Sequence, residues 1–355
     1  MKSILLSAIA LAIPAFAAPK LAAQQMPAQP VYSKCEEECD PDLFKKDAQI
    51  YSGHVEFLYW SLTEGGLDYA LKMRHDAWGP TPSFAQGSFE NATYGVDPGF
   101  RIGLHYFRAP HYWEVKWQYT RMTSRGENDV KKPEAATEFL TGTWPQISTS
   151  PLTRAKSNIH FNYNVIDMII DRVFFPNPHL RLRVLGGGVV AWMNQDWNVH
   201  YFDSIANTTH IRNRWSYAGG GLKIGTLVDW YWTWDLYMTA LASFGVLIGG
   251  YSNHAKQTTT FQPDPADNTA VPIRNTSYND VRPTFTAQML LGPSWQKNFS
   301  CNRVEVFAGF EMNTWLNLQE VYRSTSGDPS AAKETWINSS MLAFYGLTTR
   351  VTVDF

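Results

Sequence analysis

Charge is scarce in this sequence. Asp, Glu, Lys and Arg make up 17% of its residues, against about 25% in ordinary soluble domains. The 30 basic and 32 acidic side chains leave a formal net charge of −2, which excludes the strongly basic face that a nucleic-acid partner would need. With three cysteines the chain cannot be a disulfide-built scaffold. Its nine histidines form neither an HxH nor an HExxH pattern, and no Ser-His-Asp spacing places a nucleophile beside a base. These absences predict a protein that is not an enzyme and holds no metal or cofactor. Long apolar runs are also rare. The stretch LYMTALASFGVLIGGYSN (236–253) carries no charge, but its Thr, Ser and Gly residues and the turn before it favour a strand over a membrane helix.

What is abundant is aromatic: 14 Trp and 17 Tyr lift the aromatic share to 14%, while the mean hydropathy is only −0.28. Lipid-facing and lumen-facing residues that alternate and cancel produce such averages in membrane β-barrels. The N-terminal MKSILLSAIALAIPAFAA has the anatomy of a secretory signal, with Lys2, an apolar core from Ile4 to Ile13 and an Ala15-Phe16-Ala17 cleavage site. Residues 1–17 are therefore expected to be a signal peptide and 18–50 a periplasmic tail. The barrel should occupy 51–355.

From His54 onward the pattern has period two, which helical spacing cannot produce. Val55, Phe57 and Tyr59 share one face. Phe100, Ile102, Leu104 and Tyr106 oppose Arg101, Gly103 and His105, and Trp113, Val115, Trp117 and Tyr119 oppose Glu114, Lys116 and Gln118. NIHFNYNV sets Ile159, Phe161, Tyr163 and Val165 on a predicted lipid face, with His160, Asn162 and Asn164 as a polar lumen stripe. Short connections at 108–111, 175–179, 229–234 and 296–302 alternate with long polar ones at 73–97, 124–156, 196–211, 252–278 and 319–338. This alternation predicts an all-β, transmembrane, antiparallel up-and-down barrel of about ten strands, ten to twelve fitting the same spacing. Both termini would then face the periplasm. Trp230, Tyr231, Trp232, Trp234, Phe174, Phe175, Phe107, Tyr112 and Trp113 cluster at the short turns and read as an aromatic girdle.

Closure of such a barrel pairs the last strand with the first and removes both edges. Tyr345, Leu347, Val351, Val353 and Phe355 would lie on the lipid face. A terminal Phe after alternating apolar residues resembles the signal read by the barrel-assembly machinery of bacterial outer membranes. The opposite faces predict a lumen lined by Arg101, His105, Glu114, Lys116, Arg181, Arg183, Lys223, Arg303, Glu305, Glu311 and Arg350, with Asp229 and Asp235. Charges of both signs suit a narrow water-filled channel, or else pair with one another and plug it. Gly186–Gly188 and Gly219–Gly221 lack the strand-to-helix setting of a phosphate loop and read as bends or bulges. Cys35 and Cys39, in CEEECDPD, should share a side of the membrane with Cys301. Either an internal bridge or a thiol linking neighbouring molecules into a homo-oligomer fits.

HVEFLYW with EGGLDYAL (64–71), DPGFRIGLHY (97–106) and YWEVKWQYTRM (112–122) resemble the major outer-membrane protein family of Legionella and of chlamydia-like bacteria. So do YNVIDMIIDR (163–172), RLRVLGGGVVAWMNQDWNVHYF (181–202), RWSYAGGGLKIGT (214–226), VEVFAGFEMNTWLNL (304–318) and GLTTRVTVDF (346–355). The resemblance covers nearly all of the chain beyond the tail. It implies an abundant surface barrel with porin-like activity, seated among outer-membrane lipid and lipopolysaccharide. For Cys35 and Cys39 it implies a likeness to the disulfide-linked envelope of chlamydiae. The expected function is passive diffusion of small hydrophilic solutes or ions. The rival is a structural or adhesive surface protein acting through segments 124–156 and 252–278.

Overall fold

The computed structural model describes residues 49–355, apart from 76–84, 109–111, 136–137, 145–150, 206, 234, 261–269, 300–301 and 325–334. The signal, the tail to residue 48 and all three cysteines lie outside the described residues, and with them the disulfide expectation. Nearly everything described is strand. In chain order the strands are β1 (Gln49–Glu64), β2 (Asp68–His75), β3 (Ala85–Asn91), β4 (Val96–Arg108) and β5 (Trp113–Lys131). Then follow β6 (Glu138–Gly142), β7 (Leu152–Asn177), β8 (Leu180–Asp203), β9 (Thr208–Tyr231) and β10 (Leu236–Thr260). The last three are β11 (Ala270–Phe299), β12 (Asn302–Ser324) and β13 (Thr335–Asp354).

Ten of these close a ring in the order β1-β4-β5-β7-β8-β9-β10-β11-β12-β13, and every neighbouring pair is antiparallel. The seam is the β1–β13 ladder, which runs from Ser52 opposite Asp354 to Glu64 opposite Leu342. The Phe355 N–H donates to the Tyr51 carbonyl at 2.9 Å, and the Tyr51 N–H donates back at 3.1 Å. The short connections predicted from the sequence all lie at this end. At the opposite end β2, β3 and β6 form an annex, with β2 paired to both others and β6 touching β7 at Leu140 and Leu152.

The long connections are shorter than the sequence suggests, because strands continue into them. Of 196–211, only 204–207 links β8 to β9; 252–278 is largely β10 and β11; 73–97 and 124–156 contain β2, β3, β6 and the ends of β5 and β7. Polar composition there does not mark loops. It marks strand that has left the apolar zone. A strand of 30 residues such as β11 runs about 100 Å along its length, roughly 75 Å after the usual barrel tilt. Crossing hydrocarbon takes about 9–11 residues, so much of the barrel stands beyond the bilayer.

Side-chain polarity inverts along each strand accordingly. On β8 the outward residues near the turns are Leu182, Val184, Val190 and Trp192, and further up they become Asn194, Asp196, Asn198 and His200. The inward residues change the other way, from Arg181 and Arg183 to Met193, Trp197, Val199 and Tyr201. β7 behaves alike, and here the sequence expectation is corrected. Ile159, Phe161, Tyr163 and Val165 are buried inside, whereas His160, Asn162 and Asn164 face out. The alternation is real, but in this half of β7 water lies outside and the dry core lies within.

Aromatic side chains cluster at the turn end, with Trp113, Phe174, Phe175, Trp230 and Trp232 exposed and outward. Phe107 is an exception and is buried with Val173 and Ile50. Trp234 lies outside the described residues. The glycine triplets are not bulges, since the β8–β9 register runs through both without a shift.

Tight approach at the seam yields a test of closure. A Cβ added at Gly346 would overlap the Tyr59 carbonyl oxygen and crowd the Trp60 Cα. Gly346→Val should prevent the last pairing from forming. The expected outcome is loss of the compact, fast-migrating band that a closed barrel gives on unheated gels, whereas Gly250→Ala, with open space around its Cβ, should keep it.

Candidate functional site

Many charged side chains converge in the interior. All eleven side chains assigned to the lumen from the sequence are placed on inward-facing positions, together with Asp229; Asp235 is an exposed turn residue instead. Near the turn end they pair with one another, Arg101, Lys223 and Arg183 reaching over intervening strands and Arg181, Arg303 and Arg350 bonding the next strand. Arg101, on β4, donates to Glu56 at 2.5 Å and to Glu311 at 2.8 Å, and its Nε donates to Thr120 Oγ1 at 2.8 Å. Glu311 is 0% exposed and also accepts from Gln288 at 2.6 Å and Thr348 at 2.8 Å. Four strands thereby converge on one carboxylate: β4, β11, β12 and β13.

The pattern repeats around the wall. Lys223 on β9 reaches Asp167 on β7 at 3.2 Å and Gln288 on β11 at 2.8 Å, and Gln118 donates to the other Asp167 oxygen at 2.8 Å. Arg183 donates to Glu114 at 2.5 Å, and His105 shares a 2.7 Å hydrogen bond with the same carboxylate. The second nitrogen of His105 lies 2.6 Å from His54. Arg181 donates to Asp229 at 2.8 Å, Arg350 to Glu305 at 3.0 Å and Arg303 to Asp354 at 2.6 Å. Lys116 faces a cavity of about 70 Å³ bordered also by Arg183, Arg350 and Glu305, and a second of about 60 Å³ lies beside Arg101 and Lys223. Each has room for a handful of waters at the usual size of a hydration site.

Above the ion-pair layer the interior becomes an aromatic core. Trp60, Phe161, Tyr163, Trp215, Trp315 and Phe344 are all at most 2% exposed. Phe344 sits 4.5 Å from Tyr163 and 5.7 Å from Phe161 between ring centroids, and Phe161 meets Trp215 edge-on at 5.6 Å. The annex contributes Tyr69, Leu140 and Trp144 to the same cluster. Arg323 fastens it there: its guanidinium lies 3.8 Å over Trp144 and donates to Asp68 at 3.0 Å and Thr143 at 2.9 Å. Trp60 joins the two layers, donating to Thr348 at 3.0 Å with Arg101 stacked at 5.6 Å.

The sequence reading missed Glu56, Asp167, Asp171 and Gln288. Glu56 and Gln288 were recoverable from the period-two pattern of β1 and β11. Asp167 and Asp171 were hidden by the misassigned phase of β7, which would have put both carboxylates in lipid.

The Arg101 clamp predicts an asymmetry. Arg101→Met alone leaves Glu311 without its cation and Glu56 with only Arg350, 3.7 Å away, and should destabilise the barrel by about 3–5 kcal/mol. Replacing all three with apolar residues of similar volume should recover much of that loss. Urea midpoints for unfolding from lipid vesicles check both.

Residues 46–355 match the family model for the Legionella pneumophila major outer membrane protein precursor. No curated protein matches the chain. Among solved structures it is similar to the outer membrane protease OmpT of Escherichia coli, at 8% identity and a TM-score of 0.40, covering 86% of this chain and 96% of that one. It is also similar to the P. putida toluene transporter TodX, at 8% identity and a TM-score of 0.25, covering 88% and 90%. A Pseudomonas aeruginosa FadL homologue gives 8% identity and a TM-score of 0.24, covering 88% and 91%. The family match spans the whole ring, so the outward apolar band is a lipid-facing surface in the outer membrane, and the protein belongs to the Legionella pneumophila major outer membrane protein family.

Proposed function

We propose that this protein is a closed structural barrel of the outer membrane, with its turn end in the periplasm and its long strand extensions presented outside the cell. The observation that carries this reading is the filled interior. Cross-barrel ion pairs occupy the lower half, and a packed aromatic core joined by the annex occupies the upper half. A hydrated solute would have to separate buried ion pairs, each separation leaving unpaired charge in a dry interior, and then displace close-packed rings. The length of strand beyond the bilayer supports a surface role, because a simple diffusion pore needs no such extension. On this reading the protein has no catalytic chemistry. Glu114, Asp167, Asp229, Glu305 and Glu311 are held by cations, and buried Glu64 by Tyr94 and Gln195.

Passive diffusion of small ions is the second reading, favoured by interior charges of both signs and the two water-sized cavities. Planar bilayers separate the two. The purified wild-type protein should give no discrete conductance steps. Phe161→Ala combined with Phe344→Ala and Arg101→Met, which removes part of both layers, should produce them if the variant inserts. Regular steps from the wild type would instead establish diffusion.

The outward row Tyr345, Leu347, Val351, Val353 and Phe355 fits a contact for the barrel-assembly machinery before closure. Deleting Phe355 should lower the amount of protein in the outer membrane several-fold. The refolding yield of the purified protein into vesicles should change much less.

A further inference from the structure

Outward-facing cations are not spread evenly around the barrel. On β9, Arg212 and Arg214 lie directly opposite Lys256 and His254 of β10, and all four are exposed. One rung higher His210 stacks on His200 of β8, with centroids 4.2 Å apart and planes at 7°. Asp196 is the carboxylate opposite Arg214, and both its oxygens already accept from Arg212, one from Nε at 3.0 Å and the other from Nη2. At the edge Lys156 faces Asp129, which is taken by Arg154. Arg212 across from Lys256 is a like-charge cross-strand pair, an arrangement that is unfavourable by itself and favourable once an anion sits between the two.

The height of the patch identifies the anion. Descending β9 and β10 from Arg214 and His254, the outward rungs are Ser216 with Ser252, Ala218 with Gly250, Gly220 with Ile248 and Leu222 with Val246. Ile248 and Leu222 are strongly exposed and lie in the apolar band. The cations begin six residues above the Gly220–Ile248 rung, about 20 Å along the strands and about 15 Å in height after the tilt, where long Arg and Lys side chains extend down toward headgroups over the hydrocarbon boundary. On β11, which adjoins β10, Asn275, Ser277 and Asn279, with Thr314 and Leu316 of β12 and Ser61 and Thr63 of β1, are outward over the same band and none is a cation, whereas outward Arg121, Arg125 and Lys131 stand on β5. Among the described residues the outward cations at this height occupy the β5-to-β10 side of the ring, and on β9 and β10 three of them fall on two adjacent rungs.

We propose that Arg212, Arg214 and Lys256 bind the phosphate groups of a phosphorylated outer-leaflet glycolipid, the lipid A of lipopolysaccharide, whose acyl chains lie against Ile248, Leu222 and Val246. The Arg214 guanidinium fork matches phosphate oxygens bidentately, Arg212, whose Nε and Nη2 hold Asp196, offers its remaining N–H groups, and Lys256 adds a point charge. The adjoining glycine-rich wall, Gly220 and Gly250, leaves a shallow outward trough for the chains. The site uses the orientation proposed above. Its test reads lipid binding and not conductance, so either reading can fail alone.

The test uses the full-length protein in detergent micelles, with bisphosphorylated lipid A, fully dephosphorylated lipid A and sodium phosphate as probes, and bound lipid counted by native mass spectrometry. Wild type should prefer bisphosphorylated over dephosphorylated lipid A by about tenfold or more, the scale of losing a charge-assisted hydrogen bond. Arg214→Gln with Lys256→Gln should abolish that preference, and Lys131→Gln, a β5 cation outside the patch, should leave it intact. Millimolar inorganic phosphate should not displace the lipid. Equal binding of the two lipids by wild type overturns the proposal without reference to any variant's folding. Unchanged preference in the folded double variant also overturns it, and displacement by inorganic phosphate would make the patch a free-anion site.

Discussion

Hydrocarbon offers no partner to a backbone N–H or C=O, so a chain that crosses it with strands must close every ladder on itself. In this protein that requirement is met by the β1–β13 seam, and the rest of the architecture follows from it. Closure turns one sheet into two surfaces with separate solvents. The outside meets lipid over one band and water above it, whereas the inside meets mostly other side chains, with two small cavities among the ion pairs. Each strand must therefore satisfy four environments in sequence, two on each face. The polarity inversion along β7, β8 and β9 is the direct consequence.

The inside needs different chemistry at the two levels. Beside the lipid band the apolar side chains are committed outward, and the inward positions carry charge. Such charge is tolerable only when paired and hydrogen-bonded, because desolvation otherwise outweighs the Coulombic gain. Glu311 satisfies this condition through Arg101, Gln288 and Thr348. Above the band, water outside frees the apolar residues to pack inward, and the upper barrel acquires an aromatic core like that of a soluble domain. Trp60 belongs to both regimes, since it packs with Phe344 at 6.1 Å and donates to Thr348, which in turn donates to Glu311. Disturbing either layer is thereby transmitted to the other.

The sequence made the ring legible because period-two alternation, short turns and an even strand count survive any change of solvent. Arg101, Glu114, Lys223 and Glu311 could be placed inside because they sit opposite apolar residues that do face lipid. That logic failed at Phe161 and Tyr163. Their alternation with Asn162 and Asn164 is as clean as that of Leu104 with His105, but the solvent on the two sides has been exchanged, and a local pattern carries the period without its phase. The long connections misled for the same reason: Asn198, His200 and His210 are polar because their strand stands in water. The annex was invisible, since Trp144 and Arg323 meet across 179 positions of chain and nothing local announces the contact.

Ten strands enclose a cross-section that side chains can fill only if large and small residues are matched around the wall, and the glycines do this matching. Tyr217 lies over Gly219 and also against Gly249 of the next strand, so a Cβ at either glycine would run into the ring. Phe307 covers Gly309, and the imidazole of His54 covers Gly103 on the neighbouring strand. In each case a ring folds down onto bare backbone instead of projecting into a bore. Glycine in a strand interior forgoes packing of its own, and here the loss is offset by a ring that takes the vacated space. Within the glycine runs Gly219 is such a seat, whereas Gly187 and Gly221 let the backbone of the next strand close in.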